Sequence, residues 1–373
     1  VCLATIQPDG DEEQHALALL VDITGHRAET DALLARIAKD LIADGAKKSV
    51  KSVQGVPLAT FVIPRKSGET ESRSAFYFIH EDCLVASDHK ETAEGILARF
   101  FKEDETLRKV KAFTAAMSRC QAAAQGAEPH ARWFVEPFGY VQAMRAATGG
   151  RKNRGTDLLK VLANQGFGAI QGIGGHVSFS TGGNEILHRT YVYAPAVNAS
   201  GERYDLAARM LDFPNGDQLS PQPWVPHDVS NYLTFNWKMK EAFEYSKTLV
   251  DEMAGAPVFD DILDSLEKDP HGPRVDLREG LVKYLGERAT FQTDYHLPID
   301  PTCERWLAAV VVTNPDMVAA TLDKAMQSDP DARKRMIGDR TVWEIVEETV
   351  PADVAELKID GPGFGDFDDE ETE

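Results

Sequence analysis

The sequence predicts an α+β fold: repeated strand–helix–strand–strand modules, with mixed or antiparallel sheets and helices packed on one face. Three observations lead there. Short apolar strands that stop at a breaker and run at once into an amphipathic helix recur along the chain. Hairpin patterns lie between them, which a purely parallel doubly wound sheet does not accommodate. A hydrophobic fraction of 43% in 373 residues supplies the core for two or three domains.

Taken in order, "ALALLVDITGHRAETDALLARIAKDLI" is the first such unit. Leu19, Val21 and Ile23 alternate as in a strand, and Leu33, Leu34, Ile37 and Leu41 follow at helical spacing. A further strand, "VPLATFVIP", comes next. The segment "SAFYFIHEDCLVASDHKETAEGILARFF" reads as a hairpin, 76–79 with 84–87, and then a helix. Asp88, with Glu91 three residues on, forms a capping-box pattern at that helix start. "RWFVEPFGYVQAMRAA" is strand, break at Pro137, helix.

The polar, glycine-rich "TGGRKNRGTD" at 148–157 reads as a linker between a first lobe, 1–147, and a second, 158–350. "FPNGDQLSPQPWVPHD" is too proline-rich for regular structure. "NYLTFNWKMKEAFEYSKTLVDEM" alternates Tyr232, Thr234 and Asn236 against Leu233, Phe235 and Trp237 before its helix. "ERWLAAVVVTNPDMVAATLDKAM" returns to the first pattern: a shift of 289 positions lays Thr313 on Thr24, Leu322 on Leu33 and Met326 on Ile37. Asn314-Pro315 then stands at the helix start, and "TVWEIVEE" is the strand that follows. Internal duplication and chance similarity of strand–helix segments both account for this match. The tail at 351–373 is acidic, a disordered stretch or linker by composition.

Charge excludes some partners. Sixty acidic against 40 basic residues give −20, and the pI is near 4.9. Such a surface repels phosphate backbones and anionic lipid, so no nucleic acid is expected as a partner. No apolar run reaches the roughly 18 residues of a membrane helix, so no membrane insertion by this segment is expected either. The opening "VCLATIQPDG" reads as the interior of a longer precursor. Cys2, Cys83, Cys120 and Cys303 are scattered without a C-x-x-C, which fits buried thiols or one or two disulfides rather than a metal cluster.

The stretch "NQGFGAIQGIGGHVSFSTGGNE" (Asn164 to Glu185) looks at first like a phosphate loop. It lacks the lysine of a Walker loop, and Val177 stands where a dinucleotide fingerprint needs its third glycine. Two strands joined at Thr181–Asn184 fit better, with the glycines allowing a bulge or a close strand approach. No cofactor and no structural metal are therefore expected, and no catalytic residue is assigned. His176 and His188 flank this hairpin and are the first metal candidates; their other reading is a wet sheet face. His80, Asp82, Asp88 and His89 frame the earlier hairpin as acid–base candidates or as ordinary turn and cap residues. Asp294 and His296 share a strand face on a period of two, whereas the neighbours His227 and Asp228 do not. Trp224, between two prolines, is a candidate partner contact.

The segments "LALLVDITGHRAETDALLARI", "VQGVPLATFVIP" and "AFYFIHEDCLVASDHKETAEGILARF", with "DLLKVLANQGFGAIQGIGGHVSF", "GLVKYLGERATFQTDY" and "RWLAAVVVTNPDMVAATLDK", carry a resemblance. Over roughly 15–350 the chain resembles a family of uncharacterised repeat-containing proteins of the cell envelope or secretome of planctomycete bacteria. The resemblance implies an extracytoplasmic location and a non-catalytic role, and it brings no functional residues with it. The expectation is a structural or protein-binding component of a cell envelope or extracellular assembly, with other proteins or envelope components as partners. The alternative is an envelope-associated hydrolase using carboxylate and histidine acid–base chemistry, which needs a carboxyl pair in a cleft with one pKa raised.

Overall fold

The computed structural model describes residues 1–345 except 9–13, 66–71, 103–105, 125, 149–156, 182, 198–199, 217–218, 271 and 301–302. The acidic tail thus lies outside the described residues. The chain is α+β and divides into two compact units, one of Val1–Ser220 with Phe235–Val258, the other of Pro221–Thr234 with the chain from Phe259 onward. The division does not fall at 148–157. Residues 149–156 lie outside the described set, and both of their flanks belong to the first unit.

The first unit opens with β1 (Cys2–Ile6), β2 (Ala16–Asp22), α1 (Arg27–Ala43), β3 (Lys47–Val53), β4 (Val56–Ile63), β5 (Arg73–His80), β6 (Cys83–Ser87) and α2 (Lys90–Phe101). The strands make one antiparallel sheet in the order β1-β2-β6-β5-β4-β3. Its hairpins are short because the turn residues suit them. Gln54 and Gly55 both have positive φ, 51° and 85°, as a two-residue β3–β4 turn with the twist of its strands requires.

Register sorts the side chains onto two faces. Leu58, Phe76, Phe78 and Val85 meet Ala93 and Leu97 of α2 on one; Phe61 and Tyr77 meet Ala38 and Leu41 of α1 on the other. In this sheet the helices therefore cover both faces, not one. Apolar residues occupy both parities of β4 and β5, so each face needs a cover. Full burial of a side chain such as Phe78 or Leu97 contributes on the order of 1.5–3 kcal/mol.

Next come α3 (Lys111–Ala123), β7 (Ala131–Val135), α4 (Pro137–Ala147), α5 (Leu158–Asn164), β8 (Gly172–Thr181) and β9 (Asn184–Tyr193). The strands pair antiparallel in the order β7-β8-β9, with α3 packed on β8 and β9. After β10 (Asn231–Asn236), which crosses the unit boundary, α6 (Met239–Ala254) returns to the first unit. There Glu252 accepts from Asn164 Nδ2 at 2.7 Å and from Gln165 Nε2 at 2.5 Å, while Gln165 Oε1 accepts from the Thr248 hydroxyl at 2.6 Å.

The second unit holds α7 (Phe259–Lys268), α8 (Leu277–Gly280), β11 (Leu285–Tyr295), β12 (Glu304–Val312), α9 (Pro315–Met326), β13 (Ala332–Ile337) and β14 (Arg340–Ile345). Its sheets are β10-β11-β12 and the hairpin β13-β14. The segments matched at a spacing of 289 share an order of elements, β2-α1-β3-β4 and β12-α9-β13-β14. Their pairing differs, because β3 and β4 extend the sheet that contains β2 whereas β13 and β14 pair only with each other.

Candidate functional site

The two outer strands of the six-stranded sheet differ in chemistry. β3 reads KKSVKSV, and its exposed Lys47, Lys48 and Lys51 oppose the approach of another strand. β1 reads CLATI, carries no charge, and leaves Leu3 72% exposed. Among the described residues, β1 backbone groups bond only to β2. α4 comes close to β1; with its backbone groups used internally, a helix can cover a strand but does not pair with it.

Beside this edge lies an apolar groove of about 400 Å³ on the face that α1 covers. The buried Ala38 of α1 packs against Phe61 and Ala46, so the helix sits over the β4 side of the sheet. Among the described residues the β1–β2 end of the same face is left open, and Leu17, Leu19 and Ile37 stay 44%, 37% and 42% exposed. Apolar area of this kind, next to unpaired backbone groups, is what an added strand uses: the ladder gives affinity and the side-chain row gives specificity.

A larger, mixed hollow of about 1100 Å³ is lined by Gln14, His89, Glu91, Arg99, Phe100 and Arg108, among others. His89 is committed to structure there. Its Nδ1 accepts from the Thr92 backbone N–H at 3.3 Å as the N-cap of α2, which leaves the Nε2 proton to donate to Gln14 Oε1 at 3.1 Å. His89 rather than Asp88 is thus the cap. Asp88 is drawn away because its carboxylate accepts from the Leu17 backbone N–H at 2.7 Å, tying the start of β2 to the end of β6. His80 packs on the rings of Phe100 and Phe101, and the Asp82 carbonyl accepts from Ile23 N–H at 2.9 Å. The contacts of these four residues are those of caps, turns and packing.

The glycine-rich stretch is the hairpin β8–β9. A side chain on Gly175 would run into the Arg189 carbonyl, and one on Gly172 would lie 2.6 Å from the Phe134 ring, so these glycines permit close approach. The register sets His176 opposite Arg189 and His188 opposite Val177, which puts the two histidines on opposite faces of the sheet. They do not form a metal pair. His188 Nε2 accepts from Trp133 Nε1 at 3.2 Å on the outer face, whereas His176 is 1% exposed beneath α3. Neither Nε2 of His176 nor the hydroxyl of the fully buried Ser178 has a protein partner among the described residues, and the same is true of Arg189 Nε. Burial first, then the charges of Arg132 and Arg189, hold the His176 pKa below its ordinary value. Cys120 of α3, its thiol pKa raised by burial, faces the Gly174 carbonyl on the same side.

In the second unit the expected pairings reverse. His227 Nδ1 and Asp228 Oδ1 approach to 3.7 Å, since they lie in a loop rather than on a strand, and both are highly exposed. Asp294 accepts from Tyr295 N–H and Ser230 Oγ, while His296 Nδ1 turns to the Cys303 carbonyl at 3.0 Å. Trp224 stands 44% exposed in the proline-rich loop. The four cysteines are unbonded, with Cys2 exposed and Cys120 and Cys303 buried. Among the described residues no three His, Cys, Asp or Glu side chains are grouped to hold a metal ion, and no helix is long and apolar enough to cross a membrane.

Sequence reasoning missed β1 and the Leu17–Leu19 groove, although the contrast of CLATI with KKSVKSV was there to be read. It also missed Arg132, Ser178 and Arg189, which only the strand register brings beside His176. Compared with protein-family models, curated proteins and solved structures, the chain finds no match.

Proposed function

We propose that this chain is a non-catalytic, protein-binding component of a larger assembly, and that it takes an extended apolar segment of a partner protein along β1. The observation that carries this is the contrast between the two sheet edges, one guarded by lysines and one uncharged beside an apolar groove. Trp224 is a second candidate contact on the other unit. The assembly is proposed to lie in the cell envelope or outside the cell, on the family resemblance described above. A hydrolase gains no support from Asp22, Asp157, Glu252 and Asp323, which hydrogen bonds hold below the ordinary carboxyl pKa, whereas an acid catalyst needs one raised.

The test uses Leu3→Lys and Thr5→Lys, which give β1 the guard that β3 already has. A partner that co-purifies with the native protein is expected to be lost in both variants and kept in Lys39→Ala, a change on the exposed side of α1. Circular dichroism and melting temperature check that the variants fold. Equal retention by wild type and both lysine variants overturns the proposal.

A further inference from the structure

The three strands β7, β8 and β9 set Arg132, His176 and Arg189 side by side in one cross-strand row on the α3 face. Directly opposed residues in such ladders have Cβ atoms roughly 5 Å apart, so the two guanidinium stems flank the imidazole. Ser178 lies two residues along β8, on the same face. Neither arginine has a carboxylate partner among the described residues, in a chain with 60 acidic side chains. Buried polar atoms nearly always find partners, and one left without is destabilising. Here three such atoms belong to neighbouring residues of one sheet face: His176 Nε2, Ser178 Oγ and Arg189 Nε.

Their chemistry is one-sided. Arginine donates only, a serine hydroxyl donates readily, and an imidazole Nε2 carries a proton in one neutral tautomer and in the cation. Flanking arginines with unpartnered N–H and O–H donors on one face suit an acceptor-only, negatively charged group. We infer that the row Arg132–His176–Arg189, with Ser178, is a binding site for a small oxyanion, entered from the side of the exposed Arg132 and half-buried Arg189. The site is independent of the β1 edge and its partner, and it stands or falls apart from that reading.

The experiment is calorimetric titration of the full chain with orthophosphate, sulfate and acetate in turn, at constant ionic strength. A second readout follows the ring signals of labelled histidines by NMR. Saturable binding of at least one anion is expected, and which one binds separates a phosphate-type from a carboxylate-type ligand. The His176 ring signals are expected to move with the same midpoint, while those of His227, 97% exposed by side chain, stay in place. Arg132→Gln and Arg189→Gln are each expected to weaken binding about tenfold or more. Should Arg189→Gln fail to fold, Arg132→Gln, at an exposed position, carries the test alone. No saturable binding of any of the three anions overturns the inference, and so does binding that is equal in wild type and Arg132→Gln.

Discussion

His176 shows how much one buried side chain says about conditions. Arg132 faces it from β7 and Arg189 from β9, His188 lies beyond on the same hairpin, the Cys120 thiol of α3 meets the nearby Gly174 carbonyl, and no carboxylate is among them. Its folded pKa lies below that of the unfolded chain, so the native state binds the fewer protons. The stability tied to the neutral ring is therefore complete above the unfolded value of roughly 6.5 and is lost as pH falls through that value toward the folded one. Urea midpoints taken at about pH 7.5 and about pH 5.5 are expected to fall for the wild type, and to fall less for His176→Leu. The sequence singled out this histidine but not its setting. "GGHVSF" says only that His176 and Ser178 share a face, and the arginines stand 44 and 13 positions away in the chain. No local pattern joins residues that only register unites.

Elements were more legible than their ends. The β2–α1 unit, the β5–β6 hairpin with α2, the β7–α4 break at Pro137 and the β8–β9 hairpin all fall where periodicity and turn residues place them. The start of α2 is different, because Asp88 fits the capping pattern and His89 makes the cap. Local grammar assigns the carboxylate to the helix, but a backbone N–H 71 residues away claims it. His89→Ala is expected to lower stability by about 1 kcal/mol, read from denaturant midpoints, the ordinary cost of losing an N-cap side chain. α3 escaped the sequence reading for another reason. Its buried residues are Ala112, Ala116 and Cys120, small side chains that give little apolar contrast yet lie close on the glycines of β8.

At the scale of the molecule, composition misplaced the division. Glycine and charge mark 148–157 as a linker, but the units part at 220–259, where a proline-rich loop and β10 leave the first unit before α6 rejoins it. Chain continuity hides such an excursion, and only contacts reveal it. The unequal edges of the first sheet have a consequence for growth. A sheet open at both sides is a monomer for polymerisation, each addition presenting a fresh end. On the proposed reading of β1, one sealed by Lys47, Lys48 and Lys51 acts as a chain terminator that takes a single partner strand. Replacing the three lysines by threonine is expected to turn a species of fixed size into a concentration-dependent ladder of oligomers in sedimentation velocity. An unchanged distribution would show that the lysines do not cap the sheet. Under the proposed strand binding, the guard makes occupancy of β1 stoichiometric: one seat, filled once.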